Sequence, residues 1–193
     1  MMRPLHLRDR AGMLWGAVAE DRGVQIVEFA LSLPLLMLFV VGIFDFSGAI
    51  TLKQKLTDAA RDGARVAAAD PASDLGSPST AVPASVSDAY QVVDNDLLSA
   101  KVKDCGMAGT TPTASPTLTW KSPALTGCAG GTGMVVTIQR GCLTPVAGTD
   151  LVNTCVTIKY PYQWQFTGVS GLLGGSFIPP STITTTATSF NEN

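Results

Sequence analysis

Residues 23–45 read GVQIVEFALSLPLLMLFVVGIFD, and this apolar run decides the fold of the chain. Positions 29–44 carry no charged side chain. Residues 24–52 would form a helix of about 44 Å at 1.5 Å per residue, whereas a hydrocarbon core of about 30 Å needs some 20 residues. The sequence therefore predicts one transmembrane helix over residues 24–52, with both ends in the interfacial zones of the bilayer.

Two carboxylates and a proline interrupt this apolar run. Glu28 and Asp45 are 17 positions apart, or about 26 Å along a helix. Each is therefore expected near one edge of the bilayer, where a charge costs less than the roughly 2.5–3.5 kcal/mol of the centre. Asp45 either contacts an assembly partner or, as we favour, marks the outer interface. Pro34 either kinks the helix so that it melts during assembly or is simply tolerated there.

The spacing of Gly23 and Glu28 indicates proteolytic processing. Glycine, four residues and glutamate before a hydrophobic run is the pattern that type IV prepilin peptidases recognise, and a β-carbon at Gly23 would obstruct the peptide bond. Cleavage would make Val24 the N-terminus and leave Glu28 about 6 Å away along the axis. That carboxylate could then pair with the ammonium of a neighbouring subunit. The alternative is an interfacial glutamate on an uncleaved signal anchor.

Residues 1–23 are accordingly interpreted as a prepilin-like leader. A secretory signal loses its apolar part on cleavage, whereas here the apolar part would stay with the mature chain. Cleavage would leave nine of the 13 basic and twelve of the 15 acidic residues, a net charge of −3. Basic residues flank both ends of the run, so charge bias alone does not fix its orientation.

The helix is predicted to continue through residues 53–69 with a narrow stripe of small apolar residues. Asp58 with Arg61, and Asp62 with Arg65, are favourable pairs three residues apart on the opposite side. A proline at position 71 ends this helix.

Residues 70–85 are rich in Pro, Ser and Ala and are predicted to be a linker. An extracytoplasmic α+β domain is expected over residues 86–193. Its helix would run from about residue 84 to 100, with Ser85 as the N-cap. Period-two alternation predicts strands at residues 117–121, 134–140, 155–160 and 181–190. The fold class is therefore α+β, in which a long transmembrane helix continues as an amphipathic helix and precedes one helix on a small antiparallel sheet.

Four cysteines follow the apolar run: Cys105, Cys128, Cys142 and Cys155. Their even number and wide spacing, without a C-x-x-C pair, favour two disulfides in an oxidising compartment. Three connectivities are possible, and loop length favours pairing Cys105 with Cys128 and Cys142 with Cys155. The alternative is four free buried thiols in a cytosolic domain.

Little in the sequence supports catalysis. The single histidine, His6, lies in the leader, so the mature chain would have no histidine triad, histidine metal site or imidazole base. Asp94 and Asp96 are expected on a solvated helix face, and the glycines after residue 167 lack the context of a phosphate loop. A net charge of −2 offers no basic field for nucleic acid. We therefore expect that the protein is not an enzyme and that it binds no cofactor, metal ion or nucleic acid.

Five aromatic residues have two interpretations, a binding patch or, by default, the core of a small domain and membrane-interface contacts. They are Trp120, Tyr160, Tyr162, Trp164 and Phe166.

Residues 21–66 resemble the TadE-like family of pseudopilins from tight-adherence (Flp-type) pilus systems. The resemblance rests on Arg22-Gly23, on residues 27–31 (VEFAL) and 33–36 (LPLL), on Gly42-Ile43 and Asp45-Phe46, on Gln54, and on Ala59-Ala60-Arg61 and Gly63-Ala64-Arg65. It implies a minor pilin-like component that a prepilin peptidase cleaves and that pilus biogenesis requires. The chain departs from the family in its longer loop at residues 106–133 and in its four cysteines.

The resemblance also implies partners and a location. The partners would be the prepilin peptidase, other pilin or pseudopilin subunits, the inner-membrane assembly platform and membrane lipid. The location would be the bacterial inner membrane, with the C-terminal domain periplasmic or extracellular and a role in adhesion and secretion. The alternative is an uncleaved, signal-anchored periplasmic binding or sensor module.

Overall fold

The computed structural model describes residues 21–75, 82–128, 133–146, 149–165 and 181–191. The elements are helix α1 (Asp21–Ala69), a 3-10 turn (Ala72–Leu75), helix α2 (Ala84–Ser99) and strands β1 (Thr113–Ser115), β2 (Thr119–Lys121), β3 (Val135–Val146), β4 (Thr149–Pro161) and β5 (Thr182–Phe190). The strands form one sheet in sequence order, and every neighbouring pair is antiparallel. The α+β class is confirmed. Most of the predicted leader, residues 1–20, lies outside the described residues.

The chain divides into two compact units, with the boundary between Phe44 and Asp45. The described part of the first unit is the apolar half of α1, where every large hydrophobic side chain from Val24 to Phe44 except half-buried Leu38 is 40% to 74% exposed. This helix is long and apolar enough to cross a membrane, with a mean hydropathy of 2.4 over its most apolar window. Pro34 lies within the helix without ending it.

The second unit begins with the remaining half of α1, which forms part of its core. The predicted stripe is buried from Leu56 to Ala67, and the ion pairs Asp58–Arg61 (3.6 Å) and Asp62–Arg65 (3.4 Å) lie on the exposed side. Both predictions are therefore confirmed.

Glycine in the stripe allows α2 to pack closely against α1. A β-carbon at Gly63 would lie 2.6 Å from Cγ2 of Val93 and 3.4 Å from the carbonyl oxygen of Ala89. The helices can therefore approach at this point only because Gly63 has no side chain.

The sheet contributes alternate residues of its central strands to the core. Val136 and Ile138 of β3 and Val156 and Ile158 of β4 are fully buried or nearly so, as expected of a sheet with one face packed and one face solvated. Strand β5 is tied to α1 by a hydrogen bond between the hydroxyls of Thr57 and Thr185, at 2.8 Å.

Two disulfides hold the loops and the hairpin of this unit. Cys105 is bonded to Cys128 with Cα atoms 4.7 Å apart, and Cys142 to Cys155 with Cα atoms 6.0 Å apart. This is the local pairing that loop length favours.

Three details differ from the sequence predictions. The hairpin of β3 and β4 is longer than predicted, because a register shift between Gln139 and Cys142 interrupts the period-two pattern. Strand β1 was not predicted, since all three of its residues are exposed and show no alternation. Ser85 is not the N-cap of α2; Pro83 occupies that position, and its carbonyl accepts the amides of Val86 and Ser87.

Candidate functional site

Gly23 and Val24 lie at the N-terminal end of the described part of α1. Val24 is 62% exposed, and nothing lies within 4 Å of a β-carbon placed on Gly23. The peptide bond after Gly23 therefore joins two exposed residues of α1.

Glu28 is exposed one helical turn beyond Val24. The four-residue separation puts both side chains on one face of α1. A carboxylate and a new N-terminal ammonium on that face could be presented to a neighbouring helix together.

Pro34 weakens the helix within the apolar segment. Without an amide hydrogen, it leaves the carbonyl of Ala30 without its usual donor. Nearby, the hydroxyl of Ser32 donates to the carbonyl of Phe29 at 3.1 Å. The missing backbone hydrogen bond and this added side-chain hydrogen bond therefore lie within about one turn of each other.

Asp45 is only 7% exposed and has a partner within the chain. The hydroxyl of Tyr162 lies 3.1 Å from Oδ1 of Asp45 and 3.2 Å from its main-chain oxygen. Neither sequence interpretation of Asp45 anticipated an intrachain partner. The two residues are 117 positions apart, so no local pattern could have linked them.

Two further aromatic rings lie beside this pair. The ring centroids of Phe46 and Trp164 are 5.3 Å apart, and those of Tyr162 and Trp164 are 5.0 Å apart in an edge-to-face arrangement. We call Asp45, Phe46, Tyr162 and Trp164 the boundary cluster. Burial raises the pKa of Tyr162, and its hydrogen bond to Asp45 and the charge of that carboxylate raise it further. The phenol therefore stays a neutral donor at physiological pH.

The five aromatic residues do not form one patch. Trp120 and Tyr160 are buried in the core, and Tyr162 and Trp164 belong to the boundary cluster. Phe166 lies outside the described residues, as do the glycines at 168, 171, 174 and 175.

The structure corrects the prediction for Asp94 and Asp96, which are half-buried and not on a solvated face. Burial raises the pKa of both carboxyls, with added repulsion from Asp104 on Asp94 and from Asp62 on Asp96. Among the described residues, Oδ1 of Asp94 finds no hydrogen-bond partner.

Asp94 also lines a cleft of about 270 Å³ between α2 and residues 107–112. The hydroxyls of Tyr90 and Thr110, which lie 2.8 Å apart, form part of its wall. Within the described ranges, no three His, Cys, Asp or Glu side chains lie close enough to hold a metal ion.

Comparison with known families gives a match over most of α1. Residues 23–65 match the family model described as TadE-like protein. This segment of α1 is TadE-like. The match confirms the resemblance drawn from the sequence and associates the segment with pilin-like proteins of the Tad pilus. No curated protein and no solved structure matches the chain.

The TadE-like segment contains three of the sequence-predicted assembly residues, Glu28, Pro34 and Asp45, together with Gly23 and Val24. Tyr162, Trp164 and all four cysteines lie outside it. The boundary cluster therefore joins the TadE-like helix to a part of the chain that the family match does not cover.

Proposed function

We propose that this protein is a pilin-like, single-pass inner-membrane subunit that acts in assembly of a Tad (Flp-type) pilus. One observation carries the proposal: the TadE-like match over residues 23–65 contains Gly23 and Glu28 at the processing spacing, on an exposed apolar helix. The two disulfides support an extracytoplasmic location for the domain, because such bonds persist in oxidising compartments.

In this proposal a prepilin peptidase cleaves after Gly23, and Val24 becomes the N-terminus. The exposed apolar side chains from Val24 to Phe44 then pack laterally against pilin or pseudopilin helices at the assembly platform. Glu28 pairs with the N-terminal ammonium of an adjoining subunit, because lipid disfavours either charge alone. The subunit is non-enzymatic and primes or supports assembly, since the only histidine precedes the cleavage position.

N-terminal sequencing of membrane-extracted protein tests the processing step. Wild-type protein made in cells that contain a prepilin peptidase should begin at Val24, whereas Gly23→Leu should keep its leader. Gly42→Leu is the matched control, since Gly42 also lies in α1 with nothing within 4 Å of an added β-carbon. A wild-type chain that still begins at Met1 contradicts the proposal.

Piliation tests the assembly step separately. Glu28→Ala should abolish or strongly reduce surface pili, while Glu28→Asp should retain part of the activity because it keeps the charge. Unchanged piliation in Glu28→Ala would remove the assigned role of this carboxylate.

A second candidate is an uncleaved, signal-anchored periplasmic binding or sensor module. The cleft of about 270 Å³ favours it, because its wall includes the half-buried carboxylate of Asp94 and the hydroxyls of Tyr90 and Thr110, polar groups that can orient a small ligand. An intact leader together with a ligand bound at this cleft would support the second candidate over the first.

A further inference from the structure

We propose that the boundary cluster anchors the second unit to a phospholipid surface, with the rings of Trp164 and Phe46 in the headgroup zone. The inference rests on the membrane-spanning part of the proposed function and is independent of the pilus. It assigns a lipid-contacting role to the segment that follows β4, residues 162–165.

The position of the cluster along α1 is the first argument. Exposed large hydrophobic side chains occur along the helix as far as Phe44, and Asp45 is the first residue of the second unit. Phe46 and Ile50, one turn apart, are still 60% and 55% exposed. Apolar surface thus continues for about one turn beyond the predicted edge of the hydrocarbon region, which is where the headgroup zone begins.

The chemistry of the rings is the second argument. Trp and Tyr are enriched at membrane–water interfaces because each combines an apolar body with a polar group. Trp164 lies against the exposed ring of Phe46 and against Tyr162. Exposed Gln163 and Gln165 flank it with neutral, hydrogen-bonding side chains. This combination suits a headgroup layer better than either hydrocarbon or bulk water.

The hydrogen bond between Tyr162 and Asp45 is the third argument. It fixes the segment after β4 to the helix at the level of the cluster, where Asp45 is only 7% exposed. Gly48 lies beside this contact, since a β-carbon there would meet the Tyr162 hydroxyl at 3.4 Å, an ordinary van der Waals distance. The rings are therefore held in place before they meet the bilayer.

Tryptophan quenching in reconstituted protein tests the proposal. The full-length chain, with Trp15→Phe to remove the tryptophan that precedes α1, would be placed at one chain per disc in phosphatidylcholine nanodiscs. The lipids would be brominated either near the headgroup end or near the methyl end of the acyl chains. We expect stronger quenching by the shallow label, loss of that quenching in Trp164→Phe, and its retention in Trp120→Phe, because Trp120 is buried in the core.

Four outcomes would overturn the anchor. Quenching that persists in Trp164→Phe would contradict the anchor. So would the absence of shallow quenching in protein that floats with lipid. Both results would leave the proposed function intact. Quenching that falls when several chains share a disc would show that a second copy covers the rings. Protein that fails to float with lipid would instead remove the membrane-spanning role, and the proposed function with it.

Discussion

The hydroxyl of Tyr162 donates a hydrogen bond to the carboxylate of Asp45, at 3.1 Å across 117 residues of chain. Asp45 belongs to the helix that begins in the apolar segment, and Tyr162 follows the longest strand of the sheet. This contact holds the end of the hydrophobic run to the segment that follows β4. Its loss should therefore lower the free energy of unfolding of the second unit.

Tyr162→Phe should lower the free energy of unfolding of the second unit by about 1–3 kcal/mol, the usual cost of removing a donor from a buried acceptor. Denaturant unfolding in detergent, followed by circular dichroism, measures the change. Asp45→Asn is the conservative control, since the amide oxygen can still accept the bond. An effect of Tyr162→Phe no larger than that of Asp45→Asn would mean that the contact contributes little.

Alkaline pH should weaken the same contact. Because the pKa of Tyr162 is raised above its ordinary 10.0 in the folded state, its contribution is complete below that pH and is lost as the pH rises through the folded value. Unfolding free energy should therefore fall less steeply above pH 10 in Tyr162→Phe than in wild type. Some slope should remain in the variant, since burial also raises the pKa of Tyr90 and Tyr160. Equal slopes in the two proteins would contradict the assignment.

Gly63→Ala should destabilise the packing of α1 on α2 by about 1–3 kcal/mol, a typical cost of overpacking. The reason is the 2.6 Å separation between the added β-carbon and Cγ2 of Val93. A double-mutant cycle with Val93→Ala should show favourable coupling, because trimming Val93 relieves the clash. Additive effects of the two substitutions would argue against a clash between the added β-carbon and Val93.

Asp94→Asn should raise the free energy of unfolding at pH 7. Burial and Asp104 raise the folded pKa of Asp94 above 3.8, so the charged form opposes folding at neutral pH and this penalty disappears below the unfolded pKa. Denaturant unfolding at pH 7 and pH 3 should show a gain only at pH 7. Asp88→Asn, at an exposed position of the same helix, is the control, and a gain equal to that of Asp94→Asn would point to net charge as the cause.

Removing either disulfide should cost about 3 kcal/mol, with Cys105–Cys128 contributing slightly more because it closes the longer loop. The sequence separations are 23 and 13 residues. Paired Cys→Ser variants, unfolded side by side, measure the difference. Non-reducing peptide mapping checks the connectivity, and a peptide joining Cys105 to Cys142 would refute it.

Local patterns in the sequence were sufficient to predict α1 and the residue near which it ends. The apolar run, the three-residue charge pairs and the proline at position 71 each act within a few residues, and the structure places the helix end at Ala69 accordingly. The family match over residues 23–65 has the same origin, since it depends on spacing along one helix.

The parts that could not be predicted depend on contacts distant in sequence or on broken periodicity. The hydrogen bond between Tyr162 and Asp45 is evident only in the folded structure, because the two residues are far apart in the sequence. The outer half of the β3–β4 hairpin follows a register shift that disrupts alternation, and the half-burial of Asp94 depends on the loop at residues 107–112. Ser85 has the chemistry of a cap but lies buried within the first turn of α2.

Helix α1 is 49 residues long, and its latter half supplies Leu56, Ala60 and Ala64 to the core of the second unit. A protease acting between residues 45 and 69 would cut through the interior of the domain it releases. Any shed form that keeps its fold must therefore be severed before Asp45, within the apolar stretch itself. In the proposed membrane subunit, release from the bilayer would in this way be coupled to the integrity of the fold.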